Sequence, residues 1–302
     1  MHKRELIAVA FALMACLIWS GNFIIARGVH EWIPPITLAF WRWFIAFFVT
    51  LFFSYKIIKK EWSIICLHWK YLVIMGAFGV STFNTLIYIS AHYTTTHNIA
   101  LISSTSPVIT LLIAGIMRIE RLSYYKIIGA ICALSGALVV ITHGNIYSLF
   151  LQEWNKGDLI LVACSLIWAT WNIAIRLKPE GLSIRSFLTM LMGIGSLALL
   201  PFYIWEANYI APTPFTLQSW TIYLYISILA SVIAWFLWQH SIETIGPVRT
   251  SLLYYSIPIF SAILAISILD EPLKIYHIIG FILVFSGVVI SNLRKLRALR
   301  TQ

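Results

Sequence analysis

Few groups inside this 302-residue chain can do chemistry. Arg42 is the one cation within an apolar run, seven residues past Pro35, or about 10 Å along a helix at 1.5 Å per residue. It either snorkels to the outer interface or pairs with helix carbonyls, or it meets a substrate carboxylate near an outer gate. Spacing leaves both readings open. Of 13 tryptophans, Trp32, Trp62, Trp69, Trp154, Trp205 and Trp220 fall near run ends, where an aromatic belt is the default, and Trp41 and Trp43 are ambiguous. Trp19, Trp168, Trp171, Trp235 and Trp238 lie well inside their runs. Amides share their helical faces: Asn22 three residues after Trp19, Asn172 four after Trp168, Gln239 four after Trp235. Asn84 and Tyr88 form a further pair at the same spacing. Amides in hydrocarbon need partners, so these faces point into a bundle, either as interhelical glue or as the wall of a cavity. A cavity of indole faces and amides suits a small zwitterion, an aromatic molecule or an amine held by cation–π contact.

The acidic residues carry information by position. All 11 lie at or beyond run ends, so no carboxylate is placed mid-membrane to take a coupling proton or sodium ion. This favours facilitated diffusion or exchange. It also leaves no paired acids and no His-Glu metal spacing, so no catalytic set, metal site or cofactor is expected. The histidines are mostly terminal, with His92 and His97 flanking one loop, and the four cysteines (Cys16, Cys66, Cys132, Cys164) show no CxxC spacing. Small hydroxylated residues precede a proline twice: Ser103 to Ser106 before Pro107, and Thr250, Ser251, Tyr254 and Ser256 before Pro258. A proline inside a helix removes a hydrogen bond and kinks it, so Pro107 and Pro258 read as paired gates, with Tyr254 facing the same interior.

The elements that must position these groups are helices in a bilayer. Hydrophobic residues make up 60% and charged ones 11%, with a mean hydropathy of +0.88. Soluble domains carry about 25% charged residues. Ten runs of membrane-spanning length are read at 5–28, 35–55, 70–92, 97–118, 123–143, 157–177, 184–205, 218–240, 246–268 and 273–293. With the N-terminus cytoplasmic, 17 Lys and Arg fall on inner segments and three on outer ones, which places both termini inside. A net charge of +10 is thereby explained by membrane orientation, with no nucleic-acid partner.

The chain also repeats itself. Pro107–Gly136 laid on Pro258–Gly287, at an offset of 151, matches at 11 of 30 positions, among them Glu120/Glu271, Gly129/Gly280, Ser135/Ser286 and Gly136/Gly287. Ile18, Trp19 and Arg27 echo Ile167, Trp168 and Arg176 at an offset of 149, and Asn22 is answered one residue later by Asn172. Five spans is an odd number, so the second copy inserts upside down. The expected architecture is an all-α polytopic membrane protein of ten transmembrane helices in two inverted repeats, 1–145 and 157–302, joined by a linker at 146–156. Inverted repeats are how many secondary carriers build alternating faces around one site. Glu120 and Glu271 read as capping anions at tight turns. The small residues of the fifth and tenth spans allow close helix packing or a homodimer through those helices.

These features resemble the EamA-type family of the drug/metabolite transporter superfamily: two five-span copies, Trp and Asn late in the first span of each, an Arg in span 2 and the doubled Pro…Glu…Gly…Ser-Gly run. The resemblance implies a bacterial inner-membrane carrier that exports amino acids or related metabolites by alternating access through a central cavity. The second half has no arginine matching Arg42; span 7 offers only Arg185 at its end. The indole-rich interior favours aromatic amino acids as the small-molecule substrate. A cationic amine or S-adenosylmethionine is the rival cargo, and a non-transporting membrane scaffold the rival of another class.

Overall fold

The computed structural model describes residues 3–94, 96–119, 123–151, 154–269 and 274–300, and among these there is no β-strand. Helix α1 (Lys3–Val29) and α2 (Pro35–Lys60) are followed by α3 (Trp69–Ser90), α4 (Thr96–Ser103), α5 (Ser106–Ile116) and α6 (Tyr124–Ile141). Then come α7 (Lys156–Leu177), α8 (Ile184–Tyr209), α9 (Leu217–Ile245), α10 (Pro247–Leu253), α11 (Ile257–Leu269) and α12 (Ile275–Arg300). Seven described helices are long and apolar enough to cross a bilayer: α1, α2, α3, α6, α7, α8 and α9; the apolar stretches Leu101–Ile116 and Ile275–Ser291 are shorter.

The runs read at 97–118 and 246–268 are each broken in two. Instead of kinking a continuous helix, Pro107 and Pro258 each occupy the first turn of a new one, where a missing N–H leaves nothing unsatisfied. The turn before each proline closes on itself in the same way: Thr105 Oγ1 donates to the Ile102 carbonyl and Ser256 Oγ to the Leu253 carbonyl, both at 2.7 Å. A neighbouring helix adds a further side-chain donor to each carbonyl, Ser165 Oγ at 3.0 Å on Ile102 and the weaker Cys16 thiol at 3.4 Å on Leu253. Glu120 and Glu271 lie outside the described residues.

Two helices widen in mid-course. Gly76–Thr82 in α3 and Tyr225–Ile233 in α9 wind as π-helix. Hydroxyls there reach carbonyls five residues back, as the wider turn allows: Ser81 to Gly76, Thr82 to Ala77 and Ser231 to Ile226.

Two antiparallel pairs join the halves of the chain. In one, α6 and α12 pack so closely that Gly129 faces Gly287 and Gly136 faces Gly280. In the other, α2 and α8 cap one another. Helix α2 starts at Pro34-Pro35 with no side-chain cap of its own; Glu206, buried near the end of α8, accepts from Ile36 N at 3.1 Å and Thr37 N at 2.6 Å. At the opposite end Glu61 accepts from Ser183 N and Ser183 Oγ, both at 3.0 Å. A carboxylate over free N–H groups complements the helix dipole. Because Glu206 is buried and Glu61 is partly exposed, water can replace only the latter. Glu206→Ala is expected to cost about 2 kcal/mol and lower the melting temperature by about 3–6 °C. Glu61→Ala should cost less than half as much. Equal losses in a thermal melt would show that burial of the cap does not matter.

Candidate functional site

The fold brings ten side chains around one small cavity: Trp19 and Asn22 from α1, Arg42 from α2, Phe83, Asn84, Ile87 and Tyr88 from α3, Trp168 from α7, Trp235 from α9 and Tyr254 from the turn before α11. Eight of the twelve residues singled out as substrate-binding candidates are among them. Both halves of the chain contribute walls. The aromatic rings pack on each other: Phe83 stacks on Trp168 at 4.8 Å, and Trp19 meets Trp168 edge-on at 5.5 Å. Tyr254 sits 6.0 Å from Trp168 and 6.4 Å from Trp19.

Arg42 gives the cavity its charge. It is 2% exposed, so it does not snorkel. Its Nε donates to Ser231 Oγ at 2.6 Å, Nη1 to the Tyr88 hydroxyl at 2.9 Å and Nη2 to the Ala230 carbonyl at 3.2 Å. The guanidinium carbon also lies 4.8 Å from the Trp43 ring. Every partner is neutral, and no carboxylate lines the cavity. The Tyr88 hydroxyl in turn donates to Asn22 Oδ1 at 3.3 Å, and Trp19 Nε1 donates to the Ala230 carbonyl at 2.9 Å. Asn84 uses its amide on the Val80 carbonyl, one turn back.

The other four candidates form a second layer. Trp171 stacks behind Trp168 at 5.5 Å, meets Trp235 at 4.7 Å, and lies against Gly79 so tightly that a Cβ there would sit 1.9 Å from the indole. Asn172 donates to the Trp168 carbonyl and accepts from Trp238 Nε1, each at 2.8 Å. Trp238 packs on Trp19 at 5.1 Å. Gln239 reaches Glu243 at 3.4 Å, and its carbonyl oxygen has no partner. Trp171, Asn172 and Trp238 brace the wall without facing the space inside it. Phe83 and Ile87 complete the lining beside Asn84 and Tyr88, at helical spacing that the sequence does display. Nothing in the sequence pointed to Ser231 or the Ala230 carbonyl.

The free volume of this cavity is about 20 Å³, enough for one water. Small-molecule sites usually span about 300–1,000 Å³. The walls must therefore part before a metabolite enters. Among the described residues no group of three or more His, Cys, Asp or Glu is placed to hold a metal.

Comparison with known proteins fits this architecture. The EamA-like transporter family matches residues 6–142 and, a second time, residues 155–293. The chain belongs to the EamA-like transporter family. It is a membrane transporter, and its EamA relatives are spread across bacteria and archaea. It is 26% identical to "Uncharacterized transporter YyaM" of Bacillus subtilis (strain 168), across 93% of this chain and 92% of that one. It is 24% identical to an "Uncharacterized transporter" of Archaeoglobus fulgidus, across 93% and 96%. At 22% identity it also resembles a "Probable terminal-alkyne amino-acid exporter" of Streptantibioticus cattleyicolor, across 74% and 73%. A crystal structure 18% identical in sequence superposes with a TM-score of 0.76 over 96% of this chain and 98% of the other, a likeness of fold alone.

Proposed function

We propose that this transporter moves an amino acid, with aromatic ones preferred, outward across a bacterial inner membrane by alternating access. In this reading ten spans form two inverted halves, 1–145 and 157–302, with both termini cytoplasmic. The antiparallel packing of α2 with α8 and of α6 with α12 supports the inversion, as does the twofold family match. Pro107 and Pro258 serve as paired hinges, since each follows a helix break held by one hydroxyl from its own turn. The glycine faces of α6 and α12 are used within the chain, so a homodimer through these helices has to use their outer faces, where Ile131 and Ile282 are exposed.

One observation carries the substrate reading: a buried guanidinium with only neutral partners forms one wall of an indole-lined cavity. A charge at such depth costs about 3 kcal/mol even by the mildest scale, and a bound carboxylate would offset that cost. The indoles then offer flat apolar faces to the side chain of the same molecule. A cationic amine would instead set a second positive charge beside Arg42. The exporter name of one relative points the same way. The EamA family match and the transporter names of its relatives support transport without catalysis.

Counterflow of tritiated L-tryptophan and L-phenylalanine into proteoliposomes tests this. The wild-type protein is expected to exchange at least one of them, and Trp168→Ala to slow exchange by about tenfold or more while the protein still melts cooperatively. Absence of exchange for every aromatic amino acid would remove the substrate class. Normal exchange by Trp168→Ala would remove the indole wall from the mechanism.

A further inference from the structure

We infer that Ser231 is a positioning residue: from the π-wound turn of α9 it aims the Arg42 guanidinium and so sets how strictly the cavity demands a carboxylate. The inference rests on the carboxylate reading above. A guanidinium has five N–H donors in a fixed planar fork. Three are occupied, one on Nε by Ser231, one on Nη1 by Tyr88 and one on Nη2 by the Ala230 carbonyl. Two donors remain, one on each Nη. A carboxylate can meet arginine side-on, through Nε and one Nη, or end-on through both Nη atoms. With Nε already taken at 2.6 Å, the side-on approach is closed.

Ser231 can accept from Arg42 because its own proton is directed elsewhere. It is fully buried, and its hydroxyl donates to the Ile226 carbonyl at 2.9 Å, five residues back along the wide turn. A lone pair is thus left facing α2. The adjoining Ala230 carbonyl accepts from both Arg42 Nη2 and Trp19 Nε1. Two consecutive residues of one π turn therefore fix the cation and an indole wall relative to each other.

The other half of the chain supplies an internal control. Ser81, in the π segment of α3, is likewise buried and donates toward a carbonyl five residues back, Gly76, at 3.4 Å. Its contact across the helix interface is the Gly195 backbone carbonyl at 2.8 Å, with no cation involved. The Val80 carbonyl beside it is taken by Asn84 of the same helix. The same local device closes on backbone in one copy and on Arg42 in the other, so a purely structural serine and a positioning serine can be told apart.

The test compares binding of L-tryptophan and L-tryptophanamide, which differ in the carboxylate, to the full-length protein purified in detergent. Wild-type protein should prefer the acid. Ser231→Ala should lower that preference about tenfold, chiefly by weakening the acid, as expected when a hydrogen bond to a charged group is lost. Ser81→Ala should leave the preference unchanged. If Ser231→Ala does not fold, Ser231→Cys reads the same quantity, since a thiol fills the space but accepts poorly. A preference that survives in folded Ser231→Ala or Ser231→Cys overturns the assignment, and so does an equal shift in Ser81→Ala. A wild-type preference near one overturns the carboxylate reading and this assignment together.

Discussion

Arg42→Gln is expected to abolish discrimination in favour of amino acids and to weaken their binding by about a hundredfold, or about 3 kcal/mol, without destabilising the empty protein. The two halves of that expectation have opposite origins. In the unliganded state the guanidinium is 2% exposed and faces a serine, a tyrosine and a carbonyl. Glutamine can keep one or two of those contacts without bringing a charge into hydrocarbon, so the melting temperature should hold or rise. In the liganded state the loss is severe, because a substrate carboxylate would then be desolvated with no cation to receive it. Arg42→Lys separates charge from geometry: it keeps the cation but offers a point donor in place of the planar fork, and should fall between the two. The decisive measurements are a melting curve without ligand and the affinities for L-tryptophan and tryptamine. Equal loss for acid and amine would make Arg42 a packing residue of the cavity wall.

The sequence could show this arginine because hydrocarbon leaves few reasons for a lone cation in an apolar run. It could equally show Trp19, Asn22, Trp168 and Trp235, since an indole or amide deep in a span has to face other helices. The doubled Pro…Gly…Ser-Gly run was plain because it recurs at a constant offset. Other features depend on register, which side-chain type does not encode. Trp171 and Asn172 lie on a helix that reaches the cavity through Trp168, yet their side chains fall one layer behind it, because three or four residues of helix turn them toward Trp235, Gly79 and Trp238. Ser231 looked like any small residue in an apolar run. The reciprocal caps by Glu61 and Glu206 were equally hidden: a glutamate at a run end is the commonest of interface residues, and only the antiparallel pairing of α2 with α8 gives each one a helix start to hold. The proline breaks were half legible. Their positions and hydroxyl neighbours were visible, but not that each proline begins a helix instead of bending one.

Gly136→Val is expected to cost about 3 kcal/mol or more and to lower the melting temperature by about 6–10 °C. A Cβ built on Gly136 would lie 2.7 Å from both the Gly280 carbonyl oxygen and the Val284 nitrogen. One on Gly287 would lie 2.6 Å from the Ala133 nitrogen and the Gly129 carbonyl oxygen. These neighbours are backbone, so no side chain can swing aside, and α6 and α12 must separate along their whole contact. Close approach of helices through small residues is a main source of association where lipid removes the hydrophobic drive. Separation would therefore forfeit packing all along the pair. Changes on the outer faces, such as Ile131→Ala and Ile282→Ala, remove side chains that are 60% and 58% exposed and should be nearly silent. The same experiment decides how the small-residue face is used. If Gly136→Val leaves the melting temperature unchanged but converts a dimer into monomers, these glycines hold two subunits together and the α6–α12 contact is not what keeps the chain folded.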